Sequence, residues 1–221
     1  MRTFIMGDIH GEYDKLINLL KRVNFDYSKD TLIQLGDVVD RGPDVYSCVE
    51  ELLKIKNLIA IRGNHDFCWL EFLKTGQSLL FNQGAMETEQ SYVLNSVDPS
   101  VHFDFFNNQL KYYIDQENNL FVHGGFNRHK HVDEENDPEV FYWDRDLWLA
   151  ALSYANMKNQ TYPFKMKDKF HHVFIGHTPT SYWNSEMKPM TAANITNLDT
   201  GSGKGGLLTI MNLRTREYFQ E

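Results

Sequence analysis

Three short apolar runs, Thr3–Gly7, Leu32–Leu35 and Leu58–Ile61, alternate with helical patterns in the first third of the chain. Between the first two runs, Leu16, Leu19, Leu20 and Val23 recur at helical spacing. Between the second and third, a helical stretch opened by Pro43 carries Val49, Leu52, Leu53 and Ile55. That strand–helix–strand–helix–strand rhythm leaves few solutions. It predicts an α/β fold whose strands are joined by crossover helices, with the sheet buried on its helix side.

The rest of the chain extends the same picture. Phe67 to Lys111 shows mixed helical patterns, and Tyr112–Asp115 and Leu120–His123 flank a turn-like Gln116–Asn119 and predict a hairpin. His129–Glu139 is polar and reads as a loop, followed by a helix through Leu147, Leu149, Ala150 and Leu152. His172–Ile175, Ile195–Leu198 and Leu207–Leu213 read as late strands. No repeat, low-complexity tract or linker divides the 221 residues, which predicts one domain over 1–221.

Composition narrows the partners. Lys plus Arg number 22 and Asp plus Glu 30, a net charge of −8, which argues against a nucleic-acid surface because such surfaces draw affinity from basic side chains on phosphates. An acidic residue, Asp8, arrives before a signal-type apolar region, and no apolar stretch approaches the ~20 residues that span a bilayer. Neither a secreted precursor nor a membrane partner is expected. Cys48 and Cys68 stand in unrelated contexts and read as ordinary thiols of a reducing cytoplasm.

Five segments place metal-capable side chains where a strand runs into a glycine-bearing turn. They are Gly7-Asp8-Ile9-His10-Gly11, Gly36-Asp37-Val38-Val39-Asp40-Arg41-Gly42, Arg62-Gly63-Asn64-His65-Asp66, His123-Gly124-Gly125 and Gly176-His177-Thr178-Pro179. Ligands placed after strand ends converge at one sheet edge. Glycine lets the backbone turn tightly and approach an ion. Carboxylate, imidazole and amide without thiolate suit Mn²⁺, Fe or Zn²⁺ better than Ca²⁺. Five such pieces in this order point to a metal centre, although Asp-x-His or Asn-His alone reads equally as a turn or a helix cap.

Together the five segments resemble the metallophosphoesterase superfamily, specifically its phosphoprotein phosphatase branch of compact bacterial and bacteriophage type. The resemblance runs from Asp8 to Gly201. Asn82-Gln83-Gly84 with Thr88 and Ser91-Tyr92 is similar to a bacterial variant of that family. The implied fold is four-layered and calcineurin-like: two mixed β-sheets packed face to face, flanked by helices, with a dinuclear metal site at strand ends.

The resemblance also implies roles. Asp8, His10 and Asp37 would hold one divalent ion, and Asp37, Asn64, His123 and His177 a second. Both ions are expected to be Mn²⁺, with Fe or Zn²⁺ as alternatives. Their shared water would be the nucleophile. His65 would be the general acid and Asp40 its orienting carboxylate. Arg41, Arg62 and Arg145 would bind phosphate oxygens, for which a planar guanidinium fork is suited. Two divalent ions against Asp8 and Asp37 leave about +2, which suits a phosphate dianion in an acidic chain.

The activity so implied is metal-dependent hydrolysis of phosphoserine or phosphothreonine, and of phosphotyrosine as a further substrate, in a phosphoprotein or phosphopeptide. After His177 the chain continues Thr-Pro and lacks the extra histidine of many nuclease members. Asp66 stands where eukaryotic phosphoprotein phosphatases have glutamate, and Gly-Asn-His-Asp also resembles the symmetrical dinucleoside tetraphosphate hydrolases. Those generally lack an arginine at the position of Arg62 and an acid at that of Asp40. A non-catalytic regulatory module is a third reading, which the full ligand set and His65 disfavour.

The remaining features are bland. His102, His129, His131, His171 and His172 match no motif and read as solvated loop or strand-end residues. Asp133–Asp137 lacks the spacing and glycine of a calcium loop. Phe126, Tyr142, Trp143 and Trp148 read as core before they read as a groove, and Asp199-Thr200-Gly201 as a structural strand end.

Overall fold

The fold is that of a computed structural model, which describes residues 1–77, 80, 83–158 and 160–221. Strand β1 (Thr3–Met6) sets the architecture by alternating its faces. Phe4 and Met6 turn toward helices, while Ile5 turns toward a second sheet. Strand β2 (Thr31–Gln34) does the same with Leu32 and Ile33. With β3 (Asn57–Ala60), β9 (Thr209–Asn212) and β10 (Tyr218–Gln220) they form a sheet of order β10-β9-β1-β2-β3, in which β1, β2 and β3 run parallel.

The second sheet has the order β4-β5-β6-β8-β7. Its strands are β4 (Tyr112–Ile114), β5 (Asn119–Val122), β6 (His172–Ile175), β7 (Met190–Ala192) and β8 (Ile195–Asn197), with β5, β6 and β8 parallel. Phe121 and Phe174 point inward and stack at 5.1 Å between ring centroids, meeting Ile5, Ile33, Leu35, Ile61, Leu198 and Met211. Helices cover both outer faces. Leu16, Leu19 and Leu20 of α1 (Tyr13–Arg22) are buried on the first sheet, each contributing about 2 kcal/mol by leaving water. Asp14 in the first turn and Lys21 and Arg22 in the last suit the dipole of that helix. Helices α2 (Val45–Leu53), α3 (Asn64–Thr75), α4 (Ala85–Leu94) and α5 (Phe103–Asn107) add to the same side. Leu120, Val122, Val173 and Ile175 face outward under α6 (Glu139–Trp143) and α7 (Asp146–Ala155). The four layers and the two mixed sheets expected from the sequence are present.

Several local expectations need correction. Helix α2 starts at Val45, not Pro43, because the Asp44 carboxylate caps it by accepting the Ser47 amide at 3.1 Å. The polar stretch 129–139 holds a 3₁₀ turn at Val132–Glu134 and ends in the first residue of α6. Strands β7 and β10 are only three residues long, too short for a period of two to stand out. His102 is buried, not solvated. Its ring takes Tyr92 Oη at 2.8 Å on one nitrogen and Glu50 Oε1 at 2.9 Å on the other. Both cysteines are free and buried. No helix among the described residues is long and apolar enough to cross a membrane.

Candidate metal centre

Six parallel strands deliver the site. Asp8 and His10 follow β1, Asp37 follows β2, and Asn64 and His65 open α3 after β3. His123 follows β5 and His177 follows β6, while Asp199 lies just past β8. All eight of these side chains are buried. Parallel strands point the same way, so their carboxyl ends open along one edge of the sandwich.

The backbone is forced where the ligands sit. His10, Asp37, Asp40, Arg41 and His177 all have φ between 50° and 71°, a left-handed conformation that non-glycine residues rarely hold. At Gly63 a Cβ would stand 2.0 Å from Asp37 Oδ1, and at Gly176 one would stand 2.2 Å from Asp8 Oδ1. The carboxylates occupy the space a side chain would fill.

The ligand atoms of His10, Asp37 and His65 lie within 4.8 Å of one another, as do those of Asp37, His123 and His177. Asp37 is thus common to both groups. Its Oδ2 lies 3.6 Å from His10 Nε2 and 3.4 Å from His123 Nε2. Asn64 Oδ1 lies 3.1 Å from His123 Nε2 and 2.9 Å from His177 Nδ1. Asp8 joins by its field and by its backbone partner, accepting the His177 amide at 3.1 Å.

Two imidazoles are turned by their far nitrogens. His10 Nδ1 donates to the Val39 carbonyl at 2.7 Å and His123 Nδ1 to the Leu35 carbonyl at 2.8 Å. That turns both Nε2 atoms toward the cluster, the usual support of a metal-binding histidine.

The charges are poised for cations. Burial, followed by the Asp199 carboxylate, pushes Asp8 well above the ordinary carboxylate value. Burial and nearby Asp37 raise Asp199 to about 6. Burial is the strongest single influence on Asp37 and raises it, but His123, His65 and His10 around it together outweigh burial and hold it well below the usual range. Burial works against the charge on His123, yet Asp37 and Asp8 raise it to about 10. Burial and then His123 depress His177 to about 2, and its buried Nε2 meets no partner among the described residues. An orphaned imidazole nitrogen beside crowded buried carboxylates fits divalent cations.

The dyad lies beside this cluster. His65 Nδ1 donates to Asp40 Oδ2 at 2.6 Å, and its Nε2 accepts Arg41 Nη2 at 2.8 Å. Arg41 Nη1 reaches His10 Nε2, so this guanidinium spans the mouth of the cluster. Arg62 is placed differently. Its Nη2 donates to the Phe106 and Asn107 carbonyls at the end of α5, and its Nε is buried without a partner among the described residues. Arg145 is exposed at the start of α7, near enough to His177 to help depress it, and forms no ion pair among the described residues.

Sequence reasoning missed three contributors. Asp66 accepts the amides of Asp37 and Val38 at 2.8 and 2.9 Å, with Gly63 N at 3.2 Å and Gln109 Nε2 at 2.9 Å, so it faces backbone rather than solvent. An acid three residues past Gly63 is the readable trace of such a helix-start clasp. Thr88 reaches Asp40 from 48 residues away, beyond any local pattern. Asp199 shapes the field at Asp8, which its strand-end position alone does not announce. Asn82 lies outside the described residues, whereas Gly84, Thr88 and Ser91 of the same segment all touch the site loops or α2.

Comparison with known proteins decides the family. Residues 1–181 match the family model described as calcineurin-like phosphoesterase. The chain belongs to the calcineurin-like phosphoesterases. It is 26% identical to Serine/threonine-protein phosphatase 1 of Salmonella typhimurium over 96% of this chain and 92% of the relative. It is also 26% identical to the symmetrical bis(5'-nucleosyl)-tetraphosphatase of Neisseria meningitidis, over 100% of this chain and 95% of the relative. The cold-active protein-tyrosine phosphatase of a psychrophilic Shewanella shares the fold, with a TM-score of 0.61 over 99% of this chain and 77% of that one at 15% identity. As a calcineurin-like phosphoesterase the chain is a hydrolase of a family that uses divalent metal ions.

Proposed function

We propose that this phosphoesterase cleaves phosphomonoesters, as a serine/threonine protein phosphatase that also accepts phosphotyrosine. The observation that carries the reading is the His65–Asp40 pair at 2.6 Å, set beside a cluster of metal-capable groups and under Arg41. Alkoxide is a poor leaving group, so a positioned proton donor matters most for serine and threonine esters.

Asp8, His10 and Asp37 would hold one ion and Asp37, Asn64, His123 and His177 the other, Mn²⁺ being the expected metal. When bound, the ions supply Lewis acidity, an activated water and compensation of the phosphate charge. The chain does the rest. Arg41 would bind and orient the phosphate by its guanidinium fork, with Arg62 and Arg145 as further candidates. His65 would present a proton from Nε2 to the departing oxygen, while Asp40 fixes the ring through Nδ1 and stabilises its charged form. Val39, Leu35 and the Asp66 clasp keep the surrounding imidazoles and the Asp37 loop from turning away.

The full-length match to the Neisseria enzyme supports a second reading, symmetrical hydrolysis of dinucleoside tetraphosphates. Asp66 bears on it through its motif only, since its side chain is turned to the Asp37 and Val38 amides and to Gln109 Nε2. The test compares phosphoserine, phosphothreonine and phosphotyrosine peptides with diadenosine tetraphosphate, each with Mn²⁺ and with chelator. Chelator-sensitive phosphate release from peptides is the expected result. Preferential formation of ADP would overturn the substrate and leave the metal centre standing.

A further inference from the structure

Asp40 and Arg41 are consecutive residues with φ of 71° and 69°, a pairing that needs outside support. Helix α4 supplies it from its first turns. The Arg41 amide donates to the Gly84 carbonyl at 3.3 Å, and the Asp40 amide donates to Thr88 Oγ1 at 2.8 Å. Gly84 itself has φ 106°, and a Cβ there would come within 2.4 Å of the Arg41 nitrogen, so the two segments are in direct backbone contact.

Thr88 does more than receive that amide. Its hydroxyl donates back to Asp40 Oδ1 at 2.8 Å, while Asp40 Oδ2 takes the His65 Nδ1 proton at 2.6 Å. Thr88, Asp40 and His65 are all buried, with Thr88 at 0% exposure. One hydroxyl thus grips both ends of one aspartate. It fixes the left-handed backbone and uses up the oxygen that does not face His65. A carboxylate free to rotate would offer the imidazole either oxygen at varying angles; held in this way, it offers one.

The helix that carries Thr88 is itself held. Tyr92, one turn further along α4, donates or accepts at His102, whose other nitrogen meets Glu50 of α2. Ser91 Oγ accepts the Tyr46 amide at the start of α2. Helix α4 therefore cannot slide along α2 without breaking buried hydrogen bonds.

We infer that Thr88 is a positioning residue for the proton-donating dyad: its hydroxyl locks the Asp40 carboxylate and, through it, the His65 ring. The inference rests on the monoesterase reading for its catalytic consequence, and on the geometry alone for its structural one.

The test uses Thr88→Val, which keeps the shape and removes the hydroxyl, with Thr88→Ala in its place if that variant fails to fold, and Thr88→Ser as the conservative rescue. Two readouts are taken on each. The first is kcat with Mn²⁺ on a phosphoserine peptide and on p-nitrophenyl phosphate. Thr88→Val is expected to lose about 10- to 100-fold on the peptide and less than about 3-fold on the aryl ester, with Thr88→Ser near the parent on both. The second is the imidazole Nδ1–H resonance of His65 in ¹⁵N-histidine-labelled protein, assigned against His65→Gln. It should broaden or shift upfield in Thr88→Val and return in Thr88→Ser. Equal losses on the two esters with an unchanged resonance would overturn the role of Thr88 and leave the phosphatase reading intact. A parent chain inert toward both esters, with the resonance change still present, would overturn the phosphatase reading and leave the lock standing.

Discussion

Asp66 Oδ2 accepts the Asp37 amide at 2.8 Å and its Oδ1 the Val38 amide at 2.9 Å, so the loop carrying the central carboxylate is tied to the first turn of α3. The same helix presents Asn64 and His65, and the His65 amide donates to Asp37 Oδ1 at 2.9 Å. Two loops from neighbouring strands are thereby stitched into one rigid unit. The Asp66 carboxylate is fully buried and is turned to these amides and to Gln109 Nε2, not to solvent.

Asp66→Ala is expected to destabilise the fold by about 3–5 kcal/mol, since several buried N–H donors lose a charged acceptor. Where the protein remains folded, activity on p-nitrophenyl phosphate and on diadenosine tetraphosphate should fall by the same factor. A change in the ratio of the two rates would show that Asp66 reads the substrate after all.

His65→Ala separates the acid from the metals. Loss of a general acid costs about 10²-fold or more when the leaving group needs a proton, and little when it leaves readily as an anion. The expectation is a large loss of turnover on phosphoserine peptide with a small loss on p-nitrophenyl phosphate. Matching losses would remove His65 from the proton-donor role.

Asp37 is the one side chain common to both groups of ligand atoms, and it is buried within reach of His10 and His123. Asp37→Asn keeps its size and halves its capacity to bridge. Bound Mn²⁺, counted by plasma mass spectrometry after gel filtration, should drop below two per chain and activity should disappear. Full activity of this variant at saturating Mn²⁺ would defeat a two-ion centre.

Much of this is legible in the sequence, because the signals are local. A strand running into Gly-Asp-x-His-Gly states both its direction and its cargo within a few residues, and the βαβαβ rhythm then forces the cargo to one edge. Phe4, Ile5 and Met6 even carry the layer assignment in their alternation. What stayed hidden is what depends on distance along the chain. Thr88 meets Asp40 across 48 residues, and Gln109 meets Asp66 across 43. Arg62 shows the converse, since its motif points to phosphate while α5, laid beside it by the tertiary fold, occupies its Nη2. His102 reads as solvated because nothing nearby in sequence reveals Tyr92 Oη and Glu50 as partners of its two nitrogens.

His172 gives a pH dependence that lies away from the metal ligands. Burial, with Arg216 adding repulsion, pushes it down to about 4 from an ordinary 6.5, while its Nε2 meets Thr196 Oγ1 at 2.8 Å. In the unfolded chain the imidazole protonates near its ordinary value, so as the pH falls below about 6.5 the proton is taken up first by the unfolded state. The folded form loses stability through that window, and the loss from this residue levels off below about 4, where the folded ring protonates as well. His172→Gln retains a partner for Thr196 and cannot titrate. Urea midpoints measured at several values between pH 7.5 and pH 4, in the presence of chelator, should therefore fall less steeply for His172→Gln than for the parent. Parallel slopes for the two proteins would mean that His172 titrates alike in the folded and unfolded chains, and that the acid sensitivity belongs to other groups.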